Sequence, residues 1–245
     1  MIAELTPSEL GPAQPLFRQP YMEYVINALA AGNTVARVWV DAASGAESAL
    51  LWEGPRFYFA GREDNPSFNG AAESLITAQL APAPRSYLVV YHDSPHWVGK
   101  LSALFGGRPL RRAQRCFHRL DSQGIPDWRE RVPDGFPIAR IDRRLLSSTG
   151  IANLGQVIGE IQSGWPSIDL FLERGFGFCA LRNGDEVASW CTGEYVSGRH
   201  TGIGIETVTE WQRRGLATLV ASAFAAHCVA EGIEAHWDCW ADNLP

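Results

Sequence analysis

Lysine is nearly missing from this 245-residue chain: Lys100 is the only one, and the rest of the basic charge is arginine. Against 27 acidic residues the 21 basic ones leave a net charge of −6, with no basic block and no arginine-rich face interleaved with aromatics. A protein that tracks a phosphate backbone needs such a surface, so nucleic acid is not expected as a partner. No apolar run is long enough to span a bilayer, and the start, "MIAELTPSEL", lacks both a basic and an apolar leader region. Membrane insertion is therefore not expected, and a cytoplasmic location is. Cysteine is sparse too: Cys116, Cys179, Cys191, Cys228 and Cys239 are odd in number, scattered and never in a Cys-x-x-Cys pair. That pattern suits reduced, mostly buried thiols rather than a disulfide framework.

What is present is an ordinary globular composition, 46% hydrophobic and 20% charged, enough for one large or two small domains. "TVARVWVD" (Thr34 to Asp41), "SALLWE" and "RFYFAG" read as three short strands punctuated by Gly and Pro. "NGAAESLITAQLA" has Leu75, Ile76 and Leu80 at helical spacing, and "RSYLVVYH" is a β-rich apolar run. After it, Ser94 is placed to cap a second helix, with Pro95 at its first position and Gly106 beyond its end. From Leu120 to Arg144 the periodicity dissolves among Pro126, Pro133, Pro137 and charges, as in a connection. The expected division is thus an N-terminal domain at 1–120, a connection at 121–144 and a second domain at 145–245.

The second domain opens with helical patterns in "LGQVIGEIQSGW" and "SIDLFLERG", where Ser167 can cap and Gly175 can close. "FGFCALRNGDEVASWCTGEYV" reads as two strands joined at Asn183-Gly184, a favoured dipeptide for a tight hairpin. "HTGIGIETV" makes a third strand, residues 215–231 a helix ended by Gly232, and "EAHWDCW" a fourth strand. Strand, strand, strand, helix, strand is also the order of the first block. The expected fold is α/β, of the α+β mixed-sheet kind, with a β-β-β-α-β-α first domain that is a degenerate copy of the second.

Between third strand and helix stands "ETVTEWQRRGLATLV", with Arg213 and Arg214 at the helix start. The free amides there already carry roughly half a positive charge, so two arginines are misplaced unless an anion fills the gap. Gly215 lets backbone approach a ligand closely, and the N–H groups from Arg214 to Ala217 can cradle phosphate oxygens. The alternative is a surface loop with solvated arginines.

At these residues the chain resembles the GNAT superfamily of acyl-CoA-dependent N-acetyltransferases. Its signature is Gln or Arg, two variable residues, Gly, one variable residue, then Gly or Ala, here Gln212-Arg213-Arg214-Gly215-Leu216-Ala217. Within it, "GIETVTEWQRRGLAT" followed by "HWDCWADN" is similar to the group that includes the zwittermicin A resistance acetyltransferase. The resemblance implies acetyl-CoA as co-substrate, its pyrophosphate on the amides of Arg213 to Ala217, its pantetheine arm paired with Thr207 and Val208, and Asn243 helping from the next strand. The implied acceptor is a small-molecule amine. Family members normally continue past that asparagine into another helix and strand, often with a tyrosine that protonates the departing thiolate. With Pro245 as the last residue, the second domain is expected to lack both.

Amine acetylation needs a deprotonated amine, a polarised thioester carbonyl and a stabilised thiolate. A backbone N–H near Val208 is the candidate for the carbonyl. For the base, Glu206 ranks first, because its strand is otherwise apolar and partial burial would raise its pKa. Glu194 on the preceding strand ranks second. The plain alternatives are a strand-end carboxylate paired with an arginine and a solvated edge residue. In "HWDC", His236 and Asp238 point to one face of a strand and Cys239 to the other, so no metal is expected there.

Three readings follow. The first is an acetyl-CoA-dependent N-acetyltransferase. The second is a catalytically weak acyl-CoA-binding or regulatory module, and the third a thiol hydrolase through Cys239, for which the sequence offers no histidine partner. The turn matching "QRRGLA" in the first half, "REDNPSFNGAAES", is acidic and should repel pyrophosphate, so one cofactor site is expected. Oligomeric state is not legible.

Overall fold

The computed structural model describes residues 2–80, 87–121, 125 and 127–243. Residues 85 and 86 of the expected fifth-strand run, part of the expected connection including Pro126, and Pro245 lie outside that range. The chain divides into two compact units, Met1–Gln114 and Arg115–Pro245.

The first unit consists of β1 (Ala3–Leu5), α1 (Pro20–Ala30), β2 (Arg37–Val40), β3 (Ser48–Glu53), β4 (Arg56–Gly61), α2 (Pro66–Leu80), β5 (Val89–His92) and α3 (Val98–Leu104). Its sheet runs in the order β1-β2-β3-β4-β5, antiparallel until β4 and parallel between β4 and β5. One face packs Trp39, Leu50, Phe57 and Phe59 against Phe68 and Ile76 of α2, Trp97, and Leu101 of α3. The Ser94 cap is present, accepting from the His96 N–H at 3.3 Å, although the helix starts as a single 3-10 turn.

β4 and β5 stay zipped together over their whole paired length, from Arg56 opposite Val89 to Phe59 opposite His92. Asp93 extends the closure: its N–H donates to the Phe59 carbonyl at 3.1 Å, and its carboxylate accepts from the Gly61 N–H at 2.7 Å. The Trp97 indole N–H holds the other carboxylate oxygen at 3.1 Å. Gly61 sits at φ +84°, where a Cβ would run into the Glu47 carbonyl.

The second unit begins earlier than expected. Its elements are β6 (Arg115–Arg119), β7 (Ile138–Arg140), α4 (Arg143–Leu146), α5 (Leu154–Gly164), α6 (Ile168–Arg174), β8 (Gly177–Arg182), β9 (Glu186–Ser197), β10 (His200–Thr207), α7 (Leu216–Glu231) and β11 (Glu234–Trp240). The sheet order is β6-β11-β10-β9-β8-β7, with β10 and β11 the parallel pair. Two segments assigned to the first domain and to the connection, 115–119 and 138–140, are therefore edge strands of this sheet. They read as irregular because each has a ladder on one side only and little apolar alternation.

β8 to β11 with α7 repeat the antiparallel and parallel pairing pattern of β2 to β5 with α2. The place beside β11 is filled by β6, which pairs antiparallel with it from His236 opposite Arg119 to Trp240 opposite Arg115.

Helices α5 and α6 cover one face of the sheet over Cys179, Leu181, Val187 and Trp190. On the other face α7 packs over Phe176, Ala180, Cys191 and Ala235. The expected hairpin turns through Asn183 and Gly184 at φ +48° and +86°. Gly232, at φ +62°, ends α7.

Candidate active site

β10 and β11 start as neighbours, with His200, Thr201 and Gly202 opposite Glu234, Ala235 and His236. Beyond those positions they part, β10 running on to Thr207 and β11 to Trp240 without pairing to each other. A wedge opens between two parallel strands, and the edge of β10 from Ile203 onward faces it.

At the end of β10 the chain makes a single 3-10 turn, Thr209–Trp211, and then reaches the two arginines. Gln212 Nε2 donates to the Thr207 carbonyl at 3.1 Å, which ties the turn back to the strand. Arg213 is left-handed at φ +64° and Gly215 at φ +79°. Left-handed residues in such a turn direct successive N–H groups to one side, and α7 follows at once with no side-chain cap on its first amides. A Cβ placed on Gly215 would meet nothing within 4 Å, so the cradle is open. Its amides, dipole and exposed arginines together fit a diphosphate.

Trp211 braces this turn. The Arg214 guanidinium lies over its ring at 4.8 Å from the centroid, and so does that of Arg182, from the end of β8. The indole N–H donates to Glu186 Oε1 at 3.0 Å.

The Val208 N–H is not available to a carbonyl in the wedge: it donates to the Ala188 carbonyl at 3.0 Å. Alternate residues of an extended strand turn their peptide groups to opposite edges, so Thr207, not Val208, faces the wedge. The Thr207 hydroxyl and Ser189 Oγ share a hydrogen bond of 2.8 Å, and Ser189 Oγ also donates to the Glu206 carbonyl at 2.8 Å.

Glu206 and Glu194 stand on the same face of the sheet, since Glu206 pairs with Trp190 and Gly202 with Glu194. Glu206 is exposed, yet partial desolvation raises its pKa, and the charge of Glu160 on α5 raises it further. Both effects disfavour the carboxylate, which suits a base that must accept a proton near neutrality. Glu160 has no local link to "GIETV" and was not foreseen. Asn243 lies in the turn after β11, exposed, with its N–H on the Trp240 carbonyl at 3.0 Å.

The "HWDC" strand divides as its alternation requires. Asp238 is ion-paired with Arg115 of β6, on the face of His236. Cys239 points the other way, where the missing histidine is found: His118 Nε2 of β6 is 3.9 Å from Cys239 Sγ. It is a long sulfur contact, and the His118 ring is stacked on Trp237 with centroids 5.6 Å apart.

A family model described as GNAT acetyltransferase matches residues 14–244. The chain belongs to the GNAT acetyltransferase family.

In sequence, this GNAT chain is 24% identical over 240 residues to "Uncharacterized N-acetyltransferase YdfB" of Bacillus subtilis (strain 168), covering 98% of this chain and 88% of that one. In fold it is similar to a GCN5-related N-acetyltransferase-like protein from Streptococcus suis, with a TM-score of 0.67 at 17% identity over 96% of this chain and 90% of that one. It is also similar to a tandem GNAT protein from the clavulanic acid biosynthesis pathway, with a TM-score of 0.56 at 14% identity over 100% and 91% of the two chains. The two mixed sheets are thus those of tandem GNAT folds, and the signature turn Gln212 to Ala217 belongs to the second.

Proposed function

We propose that the second unit binds acetyl-CoA and transfers its acetyl group to the amine of a small molecule. One observation carries the reading: the wedge between β10 and β11 opens beside the left-handed, arginine-bearing turn that starts α7. The printed name of the Bacillus subtilis relative, an N-acetyltransferase, supports it, and the runs 204–218 and 236–243 favour the group of the zwittermicin A resistance acetyltransferase.

Bound acetyl-CoA supplies an activated thioester. The amides of Arg213 to Ala217 hold the pyrophosphate, with charge from Arg213 and Arg214. Gln212 fixes the turn through Thr207, and the Thr207 peptide edge orients the arm lying in the wedge. Glu206 takes a proton from the acceptor's ammonium group, and the free amine then attacks the thioester carbonyl, forming the C–N bond as the C–S bond breaks and CoA leaves as the thiolate. Asn243 assists from beyond β11. One site per chain is proposed, because β4 and β5 of the first unit are zipped and closed by Asp93, where β10 and β11 part.

The protein is mixed with acetyl-CoA and a panel of amines while free thiol is monitored. Amine-dependent thiol release supports the transferase. Binding of acetyl-CoA without release supports a binding module instead, and absence of both removes the assignment.

A further inference from the structure

Two glycines, Gly202 and Gly204, alternate with Ile203 and Ile205 on β10, on the same face as Glu206. On that face of β9 their neighbours are Glu194, opposite Gly202, and Thr192, opposite Gly204. With no side chains of its own at these positions, β10 leaves a trough, and the Glu194 side chain folds back into it. A Cβ on Gly204 would collide with Glu194 Oε1 and stand 3.1 Å from Thr192 Oγ1. The half-buried Glu194 carboxylate and the Thr192 hydroxyl therefore both border the space over Gly204.

Thr192 is 1% exposed, and its hydroxyl has no hydrogen-bond partner among the described residues. A buried hydroxyl left unsatisfied is unfavourable, so a group that completes it is favoured there. Glu206 follows Gly204 by two residues on the same face, an offset of about 6–7 Å along the strand. That is close to the length of a four-carbon chain such as the stem of lysine. Glu160, half-buried on α5, adds a third negative charge near Glu206. Among the described residues neither Glu160 nor Glu206 makes an ion pair.

We infer that the acceptor is a diammonium compound, with one nitrogen at Glu206 and the second anchored by Glu194 and Thr192 over Gly204. This rests on the transferase reading for its reaction, but the anchor is a binding site in its own right. Glu194 then acts on specificity: it holds the nitrogen that does not react, while Glu206 serves the one that does.

Calorimetric titration of the full chain with putrescine and with butylamine tests the anchor directly. Putrescine should bind at least about fivefold tighter, and Glu194→Gln should remove most of that preference. Gly204→Ala gives a second route to the same result. Its Cβ would meet the Glu194 carboxylate first, at the end of a flexible side chain, and so displace it from over the glycine. Equal binding of the two amines, or a putrescine preference untouched by both substitutions, overturns the inference. In turnover, an anchor lowers the putrescine-to-butylamine ratio of kcat/KM when Glu194 is changed. A base would lower both in parallel, and that outcome also overturns it. A chain that discriminates putrescine through Glu194 yet transfers no acetyl group would sink the transferase reading and leave the site. One that acetylates both amines equally would do the reverse.

Discussion

The Gln212 side chain donates to the main-chain carbonyl of Thr207 at 3.1 Å, so the arginine turn and the strand end that borders the wedge move as one piece. Removing that bond with Gln212→Ala should cost about 1 kcal/mol of order in the turn. Acetyl-CoA affinity is then expected to fall several-fold, with little change in the thermal midpoint, because Gln212 is exposed. Calorimetry with the wild type and the variant checks this, and unchanged affinity would show that the turn holds its shape without Gln212.

Arg213 adopts φ +64°, a region that costs a residue with a Cβ about 1–2 kcal/mol. Arg213→Gly and Arg213→Ala both remove the charge, but only glycine relieves the backbone. Glycine should therefore be the more stable of the two by about 1 kcal/mol in denaturant unfolding. Equal midpoints would mean that the strain is absent.

In the first unit Gly61 carries both the turn and the closure by Asp93. Gly61→Ala combines a left-handed φ with a collision against the Glu47 backbone, so a loss of about 2–4 kcal/mol is expected. Urea unfolding measures it. Calorimetry of the wild-type chain should give one acetyl-CoA per chain, and two would contradict the closed reading of the first unit.

Glu206 is held above its ordinary pKa, first by desolvation and then by Glu160. The folded state therefore keeps that proton more tightly than the unfolded chain does. The associated stability is fully present in acid and is lost as pH rises through the raised pKa. For activity the sign runs the other way, since the base must be ionised. Glu160→Gln takes away the like charge and should move the acid limb of the kcat/KM profile to lower pH. A limb that stays in place would remove Glu160 from the surroundings of the base.

Much of the second unit was legible because its signals are local. Asn183-Gly184 makes its turn, Ser167 caps α6 by accepting from the Leu170 N–H, and Gly232 closes α7. The signature turn is local too. In the first unit α1 carries a helical pattern as well, Met22, Val25, Ile26 and Leu29 at intervals of three and four. β1 is only three residues long, too short to show a period. Other features depend on distant partners. "RCFHR" becomes a strand only because β11 lies beside it, and this pairing also brings His118 to Cys239. The same holds for Glu160 beside Glu206 and for the Val208 N–H, which is taken by Ala188. No spacing within one segment encodes such contacts.

The central claim is that the turn at Arg213 and Arg214 seats the pyrophosphate of acetyl-CoA for transfer to an amine. Thiol release with varied acetyl-CoA, compared between the wild type and a variant carrying Arg213→Glu and Arg214→Glu, tests it most directly. The account predicts amine-dependent release by the wild type and an acetyl-CoA KM raised at least about tenfold in the variant. An unchanged KM, or release that does not depend on an amine, would contradict it.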